Sequence, residues 1–266
     1  MTRRHAKRPG PSSPPTSAPP PPPAPAEAAK PDRPAAAGAI ALILIMATGL
    51  AAGLVVRFSG LPRWNRLRAA TYHEDTPILT TADAYLFTRY AREEAEGIYR
   101  VHKLDPMRNY PDGMPYPGYI PLICWLTALI HRLTGTSIEI IAFYLPVLLA
   151  PLFVIPLSLY GRQIGRPLAA LAGGVLGATY SGYVARSTLG RFDTDCLNLF
   201  FLFLLAWLVN LMTERTGRQG LIFAALAGLS YLFFDWWYNH PGFFFPYIGA
   251  IILLAIVNLF RRGSVR

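Results

Sequence analysis

Charge is scarce in this chain. Only 15% of its 266 residues are Asp, Glu, Lys or Arg, while 53% are hydrophobic. That balance excludes an ordinary soluble domain and suits a polytopic membrane protein. Cysteine is nearly absent. Cys124 and Cys196 lie in apolar surroundings, without metal-ligand spacing or a disulfide framework, and read as small buried hydrophobes. Acids are outnumbered, 15 against 25 Lys and Arg, for a formal charge of +10. No basic stripe interleaves with exposed aromatics, so the excess reads as a topology signal and nucleic acid is not an expected partner. Internal repeats are missing, and so is any Asn-X-Ser/Thr triplet. No convincing cleavage site follows the first apolar run, 35–56, which reads as an uncleaved transmembrane helix and not a signal peptide.

What is present divides cleanly. Residues 1–34 are a low-complexity tail with Arg3, Arg4, Lys7 and Arg8 followed by Pro19 to Pro23; disorder with polyproline II character is expected. Residues 57–117 carry aromatics, arginines and most of the acids, and include a Pro111-Asp112-Gly113 turn signal. A run at 118–134, headed by prolines and ending in His131 and Arg132, is short for a span. Stronger apolar runs follow at 140–160, 167–185, 196–212, 220–235 and 243–260.

Loop charge fixes the expected parity. The loop 161–166 holds Arg162 and Arg166 without an acid, 213–219 holds Arg215 and Arg218 against Glu214, and 261–266 is basic. By contrast, 236–242 has no Lys or Arg. These short loops obey the positive-inside rule only if 118–134 does not cross. The expectation is an all-α domain over 35–260 with about six spanning helices. Residues 57–139 then form a long external loop with an embedded amphipathic or re-entrant helix. The N-terminus and the basic end 261–266 are cytoplasmic, and Asp83, Asp193 and Asp195 share the external face.

The segment Arg186-Ser187-Thr188-Leu189-Gly190-Arg191-Phe192-Asp193-Thr194-Asp195 lies between two apolar runs. A carboxylate at mid-bilayer costs about 2.5–3.5 kcal/mol on insertion scales, so a turn at the membrane surface is expected. Asp193 and Asp195 can face one divalent cation, which prefers carboxylate oxygen, or cap the helix that starts near Cys196. Arg186 is an interfacial anchor, a carboxylate partner or a phosphate holder. Asp83 alone reads as a helix cap or a solvated acid. Trp236-Trp237-Tyr238 reads first as an interfacial aromatic belt, with Tyr238 able to line a headgroup groove.

Arg186 to Asp195 resembles the second acidic motif of the oligosaccharyltransferase catalytic subunit, the single-chain bacterial and archaeal type. Asp83-Ala84-Tyr85 resembles its first acidic motif, Asn109 to Gly113 and Tyr116 to Tyr119 the segment after it, and Trp236-Trp237-Tyr238 its later aromatic cluster. The resemblance runs over about residues 38–260 and implies a C-superfamily glycosyltransferase fold. It implies transfer of an oligosaccharide from a polyprenyl-diphosphate carrier to asparagine in Asn-X-Ser/Thr of an acceptor protein, with inversion, at the cell (inner) membrane with the site outside. It further implies Mn²⁺ or Mg²⁺ held by Asp83 and Asp193, with Asp195 supporting, Arg186 bracing and Tyr238 near the lipid-linked donor. The family's later catalytic acid and its Trp-Trp-Asp-Tyr-Gly signature are not in this sequence, so it corresponds to the N-terminal part, and the rest is a possible separate partner chain. Other readings are an O-mannosyltransferase-like enzyme and a non-catalytic scaffold or transporter.

Overall fold

The computed structural model describes residues 35–101 and 103–263; the tail expected over 1–34 and the last three residues of the basic end lie outside them. Helix α1 (Ala35–Phe58) has no proline and no charge before Arg57, so nothing interrupts it inside an apolar run. Two short helices, α2 (Leu61–Arg66) and α3 (Arg68–Thr71), turn the chain into an antiparallel ribbon of β1 (Tyr72–His73) and β2 (Thr76–Pro77). Helix α4 (Ala82–Ala95) follows. A second ribbon, β3 (Leu104–Asp105) and β4 (Met114–Pro115), closes around the expected turn, where Gly113 at φ +74° donates its N–H to the Asn109 carbonyl at 3.1 Å. These two ribbons are the departure from an all-helical loop.

Helix α5 (Leu122–Thr134) is the helix expected within residues 57–139. Its thirteen residues rise about 20 Å, short of the ~30 Å hydrocarbon core. Gly135, at φ +69°, ends it, and Ile123, Cys124, Thr127 and Ala128 form its buried face. It packs on α4.

The next span joins α6 (Ile138–Leu149), a 3₁₀ turn at Ala150–Phe153 and α7 (Val154–Gln163). Pro151 lacks an N–H for the α ladder, which accounts for the tighter turn there. The run expected as a sixth full span, 167–185, is folded in two pieces, α8 (Pro167–Thr179) and α9 (Ser181–Ala185), separated by Tyr180 at ψ 122°. After the turn 186–194 come α10 (Asp195–Glu214), α11 (Gly217–Trp237) and α12 (Pro241–Gly263). Among the described residues, five helices are long and apolar enough to cross a membrane: Ala37–Arg66, Ile138–Gln163, Asp195–Glu214, Gly217–Trp237 and Pro241–Phe260. The chain is a multi-pass membrane protein.

Helix α10 is central and packs against α7, α11 and α12. Helix α1 lies on α7 and α8 with its backbone close. A Cβ added at Gly53 would meet Pro151 Cβ at 2.7 Å and Ala178 Cβ at 3.2 Å, so only glycine permits this approach. The largest core joins the 57–139 loop to the end of the bundle, with Tyr90, Ile123, Phe143, Leu189, Phe192 and Trp237 fully buried.

Candidate functional site

Two loops far apart in sequence meet at one backbone position. The N–H of Thr80 donates to the Gly190 carbonyl at 3.1 Å, and the Thr80 hydroxyl donates to the same oxygen at 3.2 Å. Gly190 in turn donates its N–H to the Phe143 carbonyl at 3.0 Å. Gly190 sits at φ +71°, where a side chain is strained, so glycine is what lets the turn present both groups at once. Buried Leu189 and Phe192 anchor the turn on either side, Phe192 edge-on to Phe87 of α4.

This pinning sets α4. Thr81 caps the helix, its hydroxyl accepting the Ala84 N–H at 3.2 Å, which places Asp83 in the first turn. Asp83 is exposed and does not itself cap, contrary to one reading of the sequence. Asp193 and Asp195 do not supply the expected cap either. Helix α10 starts after Thr194 without a side-chain cap bond. Asp193 Oδ1 instead accepts the Thr194 N–H at 2.7 Å, and Asp195, in the first turn, faces Arg186, with Nε 2.6 Å from Oδ2. Burial pushes the Asp193 carboxyl up, and the charges of Asp195 and then Asp83 push the same way, against the Thr194 amide and Arg191. Asp193 is thus within electrostatic reach of both Asp195 and Asp83.

The aromatic segment packs against the same turn. Trp237 is buried and donates its indole N–H to the Thr194 carbonyl at 2.6 Å; Trp236 donates to the Ile120 carbonyl at 2.7 Å. Asn239 donates to the Tyr119 hydroxyl at 2.8 Å. These bonds tie the 57–139 loop to the end of α11 and frame a groove of about 450 Å³, lined by Phe87, Gly118, Tyr119, Trp236 and Tyr238. The phenol of Tyr238 is pushed up by burial and by Asp195 and Asp193, with Arg186 opposing, so it faces the acidic turn.

The donor chemistry suits a hard divalent cation in kind, since like-charged carboxylates that crowd one another are relieved by one. It falls short in number: among the described residues no group of three or more His, Cys, Asp or Glu side chains is arranged to hold a metal ion.

Sequence reasoning missed Arg57. This buried guanidinium donates to Ser187 Oγ from Nε at 3.0 Å and from Nη2 at 2.9 Å, and from Nη1 to the carbonyls of Gly53 at 3.0 Å and Ala178 at 2.7 Å. The break at Tyr180 frees the Ala178 carbonyl from its helical partner, and Arg57 takes it. Beneath it the Tyr183 hydroxyl donates to the Cys196 carbonyl at 2.7 Å. The acidic turn is therefore held from the membrane side by α1. The only sequence signal was an arginine closing an apolar run, which also describes an ordinary interfacial residue.

Comparison with known proteins adds a family. Residues 51–264 match the family described as Oligosaccharyl transferase STT3, N-terminal. The chain is 26% identical over 183 residues to the undecaprenyl-diphosphooligosaccharide–protein glycotransferase of Campylobacter jejuni, covering 68% of this chain and 23% of that protein. It is 26% identical over 203 residues to the dolichyl-diphosphooligosaccharide–protein glycosyltransferase subunit STT3B of Oryza sativa, covering 74% and 26%. The fold matches the Archaeoglobus fulgidus oligosaccharyltransferase AglB, solved with an inhibitory peptide and a dolichol-phosphate. There the TM-score is 0.61 at 18% identity, over 73% of this chain and 23% of that one. The same A. fulgidus enzyme solved with Zn and sulfate matches at a TM-score of 0.60 and 17% identity, over 72% of this chain and 24% of that one. The chain spans about a quarter of the length of these relatives.

Proposed function

The chain belongs to the oligosaccharyl transferase STT3 family, and from that premise we propose that it carries the metal-site half of an asparagine-directed oligosaccharyltransferase. The reaction moves an oligosaccharide from a polyprenyl-diphosphate carrier to the side-chain nitrogen of asparagine in Asn-X-Ser/Thr of an acceptor protein. The C–N bond forms as the bond from the anomeric carbon to the diphosphate breaks, with inversion. The membrane is the cell (inner) membrane, with Ala35 on the cytoplasmic side and the acids outside.

The observation that supports this most is the Thr80–Gly190 contact, because it brings Asp83 to the turn that bears Asp193 and Asp195. Asp83 and Asp193 are the residues to hold Mn²⁺ or Mg²⁺, which when bound offsets charge on the departing diphosphate. Asp83 also accepts an N–H of the acceptor amide, a poor nucleophile that needs a carboxylate to orient it. Arg186 keeps Asp195 turned toward the site, and Tyr238 lies beside the groove that takes the lipid-linked donor. A transporter is disfavoured, since the acids cluster at one end of the bundle and do not line a path through it.

The test is transfer from a lipid-linked oligosaccharide to a sequon peptide by this chain joined to the C-terminal part of the enzyme, with Mn²⁺ binding measured in parallel. Asp83→Ala and Asp193→Ala should each lower transfer by on the order of a hundredfold or more and weaken Mn²⁺ binding. Normal binding and transfer in both variants would sink the assignment.

A further inference from the structure

The bundle has a second end, and it carries charge that no neighbour among the described residues answers. Helix α10 runs roughly 30 Å from Asp195 to Glu214, so Glu214 lies away from the acidic turn. Gln163 donates from Nε2 to Glu214 Oε2 at 2.7 Å, which joins the turn after α7 to the turn after α10. Arg162, Arg166, Arg215 and Arg218 therefore share this end, and all four are exposed. Glu214 is the one acid in the two turns, and it is already engaged, since Asn210 also donates to its Oε1 at 3.1 Å. Among the described residues none of the four arginines makes an ion pair.

The surroundings identify the ligand's other half. Leu168 and Leu221 are 75% and 73% exposed, directly beside the arginine turns, and Ile164 lies between Arg162 and Arg166. A soluble anion would leave these side chains in water. An amphiphile with an anionic head and apolar tails matches both.

We propose that this end of the bundle binds anionic phospholipid headgroups, with the guanidinium groups of Arg162, Arg166, Arg215 and Arg218 on the phosphodiester and Leu168 and Leu221 in the acyl region. Guanidinium donors match phosphate oxygens pairwise. Each arginine near an anionic surface strengthens association by about fivefold at low salt. This inference stands apart from the transfer reaction.

The experiment uses the full chain in nanodiscs, with spin-labelled phosphatidylglycerol or phosphatidylcholine, and reads the motionally restricted fraction. Phosphatidylglycerol should be restricted preferentially. Arg162→Gln with Arg166→Gln should reduce that preference on the order of tenfold, as should Arg215→Gln with Arg218→Gln. Arg100→Gln with Lys103→Gln, far from this end, should leave it unchanged. Equal restriction of the two lipids by the unaltered chain, or a preference that survives both arginine pairs, would overturn the proposal. So would displacement of labelled phosphatidylglycerol by inorganic phosphate beyond that caused by chloride at the same ionic strength, which would mark a soluble-anion site.

Discussion

The amide of Thr80 donates to the carbonyl of Gly190 at 3.1 Å, across 110 residues of chain. Substitution at Gly190 should separate the loops. In Gly190→Ala the left-handed backbone costs about 1–2 kcal/mol, and the new Cβ would lie 3.3 Å from Phe143 Cδ2. A lower melting temperature with a disproportionate loss of Mn²⁺ affinity is expected; Gly190→Asn, which tolerates this backbone better, should lose less. Both quantities are read by thermal unfolding in detergent and metal titration.

Asp193 must lose its proton to hold a cation, and burial and its acidic neighbours hold its carboxyl above the ordinary value of 3.8. Mn²⁺ affinity should therefore fall as pH drops through that raised value, and should be full above it. Asp195→Asn removes the larger of the two like-charge contributions, so the acid limb should move to lower pH. A titration of Mn²⁺ affinity against pH, in which the variant's limb stays put or moves up, would contradict the geometry.

Asp105 is fully buried in the 57–139 loop, where it accepts from Arg89, from the Tyr90 hydroxyl at 3.0 Å and from the Met107 N–H at 3.0 Å. Burial works to raise its carboxyl, and these donors outweigh that and hold it below the usual range. The stabilisation is therefore present at neutral pH and lost as pH falls through the depressed value. Asp105→Asn should destabilise the loop by roughly 2 kcal/mol, since it weakens the charge-assisted bonds at a buried acceptor, while the half-buried Arg89 keeps Glu93. Hydrogen exchange at the Met107 amide should accelerate in the variant at neutral pH, and in the unaltered chain only at strongly acid pH.

Arg57 positions the acidic turn through Ser187, without a bond to Asp193 or Asp195. Arg57→Met keeps the bulk but leaves the Ala178 carbonyl and Ser187 hydroxyl without their donor. It should lower the melting temperature and also weaken Mn²⁺ binding, while Arg57→Lys should restore part of both. Loss of stability with Mn²⁺ affinity unchanged would reduce Arg57 to a packing role.

Trp237→Phe keeps the ring and removes the bond to the Thr194 carbonyl. The expected cost is about 1 kcal/mol, read by thermal unfolding.

The parts of this molecule that were legible in the sequence are those where charge meets apolar surroundings. Asp193 and Asp195 stood out because carboxylates between two hydrophobic runs need a surface turn. The shortness of α5 was legible too, since prolines head its run and His131 and Arg132 end it. Other features depended on backbone breaks that leave little trace in residue type. Tyr180 divides the 167–185 run without a proline, and only that break frees the carbonyl that Arg57 takes. Trp236 and Trp237 read as a belt facing headgroups, yet both indoles donate inward to loop carbonyls. Their partners are backbone atoms, which every residue has, so composition could not name them.

The separation of Thr80 from Gly190 also has a consequence for synthesis. The loop bearing Asp83 leaves the ribosome about a hundred residues before the turn that completes its contact, and three apolar helices are made in between. A contact of such long range closes late. For that interval the nascent loop has only the helices already made to pack on, α5 and α6 among them, so mutations that weaken α5 should reduce yield during biogenesis more than they reduce stability once the chain is complete.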